Sequence, residues 1–129
     1  MIGTIDFRHD VENDIVIATP NWKIETKEDC EAWTRQYADY LGKFYRPVDI
    51  IFVLDDFVVT SGIIAEWGEY RAKVVTSYTR FSRRVHSKSL VNIIVKASAI
   101  KHNASNEVAD SVEEAIEAIK AQRVNAGVK

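Results

Sequence analysis

Residues 48 to 54 read Val48-Asp49-Ile50-Ile51-Phe52-Val53-Leu54, a short apolar run of the kind that is buried on both faces of a sheet. Pro47 stands before it and forbids a helix from running into it, so the run is expected to be the central strand. Upstream, Cys30, Trp33, Tyr37, Leu41 and Phe44 recur at three- and four-residue spacing and predict an amphipathic helix over about 27–42. Thr26 with Asp29 resembles a capping box at its start, and Gly42 suits its C-cap. Earlier still, Ile5, Phe7 and His9 alternate over residues 2–9, Glu12-Asn13-Asp14 supplies turn residues, and Ile15-Val16-Ile17-Ala18 follows. These two segments read as an antiparallel hairpin.

Downstream, Ile64, Trp67, Tyr70, Val74, Tyr78, Phe81 and Val85 keep helical spacing from Ser61 onward. They predict one helix of about 25 residues and about 37 Å. Leu90 to Lys96, rich in Val and Ile, reads as a strand, and residues 97–109 are polar, with Asn106 to Ala109 as a short edge strand. Asp110-Ser111 caps a last helix carrying Val112, Ala115, Ile116 and Ile119 on one side, and the tail is expected to fray from about Val124. The order implies an α/β fold: a mixed four- to five-stranded sheet with an N-terminal β-hairpin and helices packed against it, as a single domain over residues 1–129.

Composition excludes several classes. The 129 residues are 47% apolar and 28% charged, which suits one globular core without disulfides or a structural metal. Lys plus Arg number 17 against 19 Asp plus Glu, a net charge of −2 that argues against a nucleic-acid or membrane binder. The longest uninterrupted apolar stretches, Ile15–Ala18 and Ile50–Leu54, fall far short of the roughly 20 residues a membrane span needs. The single cysteine, Cys30, has no internal partner and sits on the apolar stripe of a helix, so it reads as a buried inert thiol. Residues 1–4 lack the basic and apolar regions of a secretory signal, and a cytoplasmic protein is expected.

The opening hairpin, the strand Ile50-Ile51-Phe52-Val53-Leu54, the turn Val59-Thr60-Ser61-Gly62 and the closing Asp110-Ser111-Val112-Glu113-Glu114-Ala115-Ile116 resemble a STAS domain, and more narrowly its SpoIIAA-like branch. In the anti-sigma factor antagonists of that family the turn reads Asp-Ser-Ser-Gly or similar. A serine or threonine at the helix start is phosphorylated there by a partner kinase, which breaks the partner complex. The resemblance puts Gly62 on the family's glycine and Thr60 and Ser61 on the two hydroxyl positions, Thr60 being the preferred one. Val59 stands where the family has aspartate, and the polar stretch 97–109 replaces the helix usually found between the last two strands, which implies a divergent or trimmed relative.

Ligands in open α/β sheets collect outside the carboxyl ends of the strands, which places Asp55-Asp56 and Thr60-Ser61-Gly62 at the favoured edge. A helix start there offers unpaired N–H groups and a positive dipole end to a phosphate. The plainer reading makes Ser61 an N-cap, Gly62 a turn residue and the two aspartates solvated acids. Residues 71–88 carry Arg71, Lys73, Arg80, Arg83, Arg84 and Lys88 with no acid among them. On one helix Lys73, Ser77, Arg80 and Arg84 would form a basic stripe, either for phosphates or an acidic partner, or as a solvated face paired with Glu66, Glu69 and the last helix.

No catalytic set is found. His9, His86 and His102 lie far apart and lack metal-ligand spacing, and no nucleophile elbow, P-loop or dinucleotide fingerprint occurs. Neither cofactor nor metal is expected. Tyr40, Tyr45 and Phe57 are expected to make an exposed patch for self-association, hence a homodimer. The leading expectation is a non-catalytic regulatory or protein-interaction module using the turn at Thr60–Gly62. The alternative is a binder of a small anion, nucleotide or apolar molecule using Asp55, Asp56, Lys73, Arg80 and Arg84. An enzyme would need Asp55, Asp56 and His86 to converge.

Overall fold

The computed structural model describes residues 3–86 and 108–127 of the chain. Strands β1 (Thr4–Asp10) and β2 (Ile15–Ile24) form the expected antiparallel hairpin, in register from Thr4 opposite Asn21 to Asp10 opposite Ile15. Asp10 closes the turn by accepting from the backbone N–H and the side-chain amide of Asn13. Asp14 takes a left-handed conformation (φ 52°), which Asn and Asp tolerate better than most residues bearing a Cβ. Helix α1 (Lys27–Leu41) opens with a complete capping box: Thr26 Oγ1 accepts from the Asp29 N–H at 3.1 Å, and the Asp29 carboxylate accepts from the N–H groups of Thr26 and Glu25. Its predicted stripe of Cys30, Trp33, Tyr37 and Leu41 is buried.

The remaining strands are β3 (Val48–Val53), β4 (Phe57–Val59), β5 (Thr79–Val85) and β6 (Val108–Ala109), and the remaining helices α2 (Ile64–Tyr78) and α3 (Val112–Asn125). Among the described residues the sheet has six strands in the order β1-β2-β3-β5-β6, with β4 paired to the far end of β2. β3 is the central strand, parallel to β2 on one side and β5 on the other. Its alternate residues serve two cores. Ile50 and Phe52 pack under α1 and α2 with Trp33, Tyr37, Trp67 and Val74, whereas Ile51 faces α3 with Ile15, Ile17, Val85, Ala115 and Ile119. The sheet is thus sandwiched between two helices and one. Among the described residues no helix is long and apolar enough to cross a membrane.

The single helix expected from Ser61 to Val85 is corrected to α2 followed directly by β5. Helix α2 stops in a run of β-branched and hydroxyl residues, where the Thr79 N–H and Thr79 Oγ1 both donate to the carbonyl of Val75. Phe81 and Val85, four apart, fit a helical period and an extended one equally well. What decides is that β3 is buried on both faces and needs a second neighbour to satisfy its backbone polar groups. β4 was not anticipated either, because β2 runs on to Ile24 instead of ending at Ala18 and so offers three more residues for pairing. The expected edge strand over 106–109 is seen as β6 at Val108–Ala109, and α3 continues to Asn125, into the stretch expected to fray. The strand expected over 90–96, the stretch 97–107, Lys88 and His102 lie outside the described residues.

One polar residue ties these elements together. Asp49 on β3 is 2% exposed, and its carboxylate accepts from Arg80 Nε and Nη2 (2.9 and 2.6 Å), from the Phe81 backbone N–H (3.2 Å) and from Arg123 Nε of α3 (2.7 Å). The register between β3 and β5 shifts between Val48 and Ile50, and the carboxylate takes up the backbone N–H released there. Arg123 also donates to the carbonyls of Asn13 and Asp14, tying α3 to the β1–β2 turn. Burial pushes the Asp49 carboxyl up, but its hydrogen bonds from Arg80 and Arg123 outweigh this and hold it below the usual carboxylate range.

Asp49→Asn is therefore expected to cost about 3 kcal/mol in urea unfolding, because it leaves two guanidiniums without their carboxylate, one of them largely buried. Arg80→Ala, at the more exposed partner, should cost about 1 kcal/mol or less. An Asp49→Asn protein within about 0.5 kcal/mol of the parent would mean that the Asp49 pairs with Arg80 and Arg123 do not hold these elements together.

Candidate functional site

The carboxyl ends of β2, β3 and β5 are stitched together by the chain that follows β3. The Leu54 N–H donates to the Val85 carbonyl, the Trp22 N–H to that of Asp56, and the Thr60 N–H to that of Ile24. This brings Asp55, Asp56 and the Thr60-Ser61-Gly62 turn to the expected edge. Asp56 is exposed and Asp55 half-buried. A short 3-10 turn over Ser61–Ile63 then leads into α2.

Ser61 is not the N-cap of α2. The helix starts three residues later after Ile63, and neither Ile63 nor Thr60, which heads the 3-10 turn, gives a side-chain cap. Ser61 and Gly62 are exposed, and a Cβ at Gly62 would meet nothing within 4 Å. Val59, in the place of the family's aspartate, packs against the core.

The basic stripe is not formed, because Arg80 and Arg84 stand on β5 rather than on a helix. Three environments result. Lys73 is exposed on α2 with its ammonium 5.3 Å from the Tyr70 ring centroid. Arg80 binds Asp49 at the opposite, amino end of the parallel strands. Arg84 is 4% exposed, opposite Phe52 on the sheet face beneath α1 and α2. The aromatic patch is corrected too: Phe57 is 4% exposed, Tyr40 stacks on Phe7 at 4.3 Å, and Tyr45 alone of the three is fully exposed.

In place of the stripe, the fold assembles a buried polar cluster that sequence reading missed. Arg71 of α2, Arg84 of β5 and His86 just after β5 are 6%, 4% and 3% exposed. Arg71, Arg84, Trp33, Trp67, Phe52 and Leu54 line a cavity of about 10 Å³, room for one water-sized group. The Arg71 guanidinium lies 5.6 Å from the Trp67 ring centroid, while its Nε and Nη2 have no hydrogen-bond partner among the described residues. The available signal was its position: Arg71 falls four residues after Trp67 and three before Val74, on the apolar stripe of the helix.

His86 is held below its ordinary value first by burial and then by Arg84, with Asp55 acting in the opposite sense. Among the described residues neither ring nitrogen of His86 has a hydrogen-bond partner, so Asp55 acts on it through charge alone. Cys30 is fully buried, which pushes its thiol up to about 11 and leaves it a poor nucleophile. Among the described residues no three His, Cys, Asp or Glu side chains come together as a metal ion would require.

No family model and no curated protein matches the sequence. Among solved structures, the chain is similar to an uncharacterised protein of the DUF3478 family from Shewanella loihica PV-4, described as having a SpoIIAA-like fold. The two share 10% identity over 90% of this chain and 92% of that one, with a TM-score of 0.59. This chain has a SpoIIAA-like fold. At that identity the likeness concerns the fold, which agrees with the STAS-like architecture expected from the order of elements.

A neutral buried histidine makes stability depend on pH. With its folded value lowered, His86 contributes fully above its ordinary value near 6.5 and loses that contribution as pH falls from there toward the folded value. Urea midpoints between pH 7.5 and 5.5 should fall with a slope of at most about 1.4 kcal/mol per pH unit from this group, and His86→Gln should remove that part of the slope. Identical slopes in the two proteins would mean that His86 is not the titrating group.

Proposed function

We propose that the protein is a non-catalytic STAS-like interaction module whose partner surface centres on Thr60, Ser61 and Gly62, with phosphate on one of the two hydroxyls as the switch. The observation that carries this reading is that the turn stands at the carboxyl edge of the sheet with its hydroxyls unused by either helix start. A residue that caps a helix is held by the fold. Hydroxyls left outside the hydrogen-bond framework are open to a kinase and a partner. Ser61 is the more exposed of the two and Thr60 is half-buried, so Ser61 is the better acceptor on geometry.

A phosphate would add about 1.5 to 2 negative charges beside the exposed Asp56 and the first-turn acid Glu66, reversing how this edge meets an acidic or apolar partner. The absence of a carboxylate at Val59 makes the added charge a larger local change. Non-catalytic action fits the same picture, because the His86 ring has no hydrogen-bond partner among the described residues and Cys30 is buried.

The test combines modification with binding. Phosphopeptide mapping of the protein purified from its own cells should place phosphate on Ser61 or Thr60. Ser61→Glu and Thr60→Glu should each weaken capture of the native partner at least tenfold, while the Thr60→Ala, Ser61→Ala double variant retains capture but not phosphate. The Ser61→Glu variant should stay within about 0.5 kcal/mol of the parent in stability, as exposed positions do. Unmodified hydroxyls together with capture that ignores both glutamates would overturn the assignment.

A further inference from the structure

We propose that the outer edge of β1 is the interface for a second copy of this chain, joined antiparallel about a twofold axis at Phe7 so that the two sheets become one. This does not depend on the function proposed for the Thr60–Gly62 turn.

An edge strand presents a row of backbone groups that its own sheet cannot pair. Among the described residues β1 has β2 as its one strand neighbour, so alternate N–H and C=O groups along it point away from the sheet. Proteins commonly guard such an edge with proline, lysine, a bulge or a very short strand. Thr4-Ile5-Asp6-Phe7-Arg8-His9-Asp10 contains neither proline nor lysine, and its register with β2 is unbroken over all 7 residues. The edge is long, regular and open to another strand.

Its two faces both suit a copy of itself. Ile5 and Phe7 lie toward α1 and are half-buried, so each still has apolar surface to remove from water. Phe7 stacks on Tyr40 at 4.3 Å and meets Tyr37 edge-on at 5.3 Å, and a twofold axis at Phe7 joins this aromatic group to its copy. Asp6 and Arg8 lie on the other face and are exposed. Among the described residues neither forms a hydrogen bond or an ion pair, although Arg8 acts on Asp10 through its charge.

These two charges select the register. A twofold axis normal to the sheet keeps both copies of α1 on one side and sets residues of the same face opposite each other. Centred on Phe7, the pairing uses the whole of Thr4–Asp10: Phe7 meets Phe7, Ile5 meets His9, and Asp6 meets Arg8 at both symmetric positions. Centred one residue earlier, it shortens to Thr4–Arg8 with Asp6 against Asp6. Centred one residue later, it shortens to Asp6–Asp10 with Arg8 against Arg8. Opposite charges facing each other across two strands are stabilising and like charges are destabilising, so the strand specifies the Phe7-centred pairing against its neighbours.

Sedimentation equilibrium of the full chain measures the assembly, and hydrogen exchange locates it. The expected result is a monomer–dimer equilibrium with the parent half dimeric below about 1 mM, and backbone amides of Thr4–Asp10 that gain protection as concentration rises. Arg8→Asp sets an acid against Asp6, and Asp6→Arg sets an arginine against Arg8. Each should weaken the dimer about tenfold or more while leaving the urea midpoint at the parent's value, since both positions are exposed. An equimolar mixture of the two variants should recover the parent's affinity as a heterodimer, because each acid then faces an arginine, and native mass spectrometry reads the mixed species. A parent that stays monomeric to about 1 mM overturns the proposal and leaves the edge to a strand of another protein. A dimer that neither variant weakens, or a mixture no tighter than its components, overturns it too and places the contact elsewhere on the surface. If a variant does not fold, the exchange data of the parent decide: concentration-dependent protection outside Thr4–Asp10 alone, or none, overturns the pairing.

Discussion

The structure hangs on one buried carboxylate. Asp49 interrupts the apolar run of the central strand, and from 2% exposure it holds Arg80 of β5, Arg123 of α3 and the backbone N–H of Phe81. A lone buried carboxylate would be ruinous, and two guanidiniums with a peptide N–H supply enough donors to make it tolerable. The consequence is geometric. β5 is seated beside β3 with its register shift accommodated, and α3 is fastened across the sheet to the β1–β2 turn through Arg123.

The two ends of the parallel strands are therefore unlike. At the amino end two carboxylates are answered: Asp49 by Arg80 and Arg123, Asp14 by Arg46 and His9. The carboxyl end carries an exposed turn whose hydroxyls cap nothing, and beneath it Arg71 with buried donors that no protein acceptor meets. Hydrogen-bonding capacity that the fold has not already used is therefore concentrated at the carboxyl end, the end outside which ligands of open α/β sheets collect.

Much of the architecture was legible because it rests on local chemistry. Thr26 and Asp29 cap α1 through contacts three residues apart, the Cys30–Leu41 stripe follows the helical period, and Val48–Val53 is apolar on both faces because both faces are covered. The site was legible only in part. The Thr60–Gly62 turn was placed at the correct edge, but the basic stripe rested on a helix that ends at Tyr78. With β5 extended, Lys73, Arg80 and Arg84 go to solvent, to Asp49 and to the interior under the helices.

The sequence by itself determined the opening hairpin, the caps of α1 and α3 and the central strand, because each depends on residues within a turn or two of one another. Only the tertiary structure decided where α2 gives way to β5, that Asp49 meets Arg80 and Arg123, and that Arg71 is buried beside a cavity. Those outcomes depend on partners between 31 and 74 residues apart, as in Asp49 with Arg80 and Arg123, and on the demand of a doubly covered strand for a neighbour on each side. Periodicity carries no information about such partners, since four-residue spacing such as Phe81 to Val85 satisfies a helix and a strand alike.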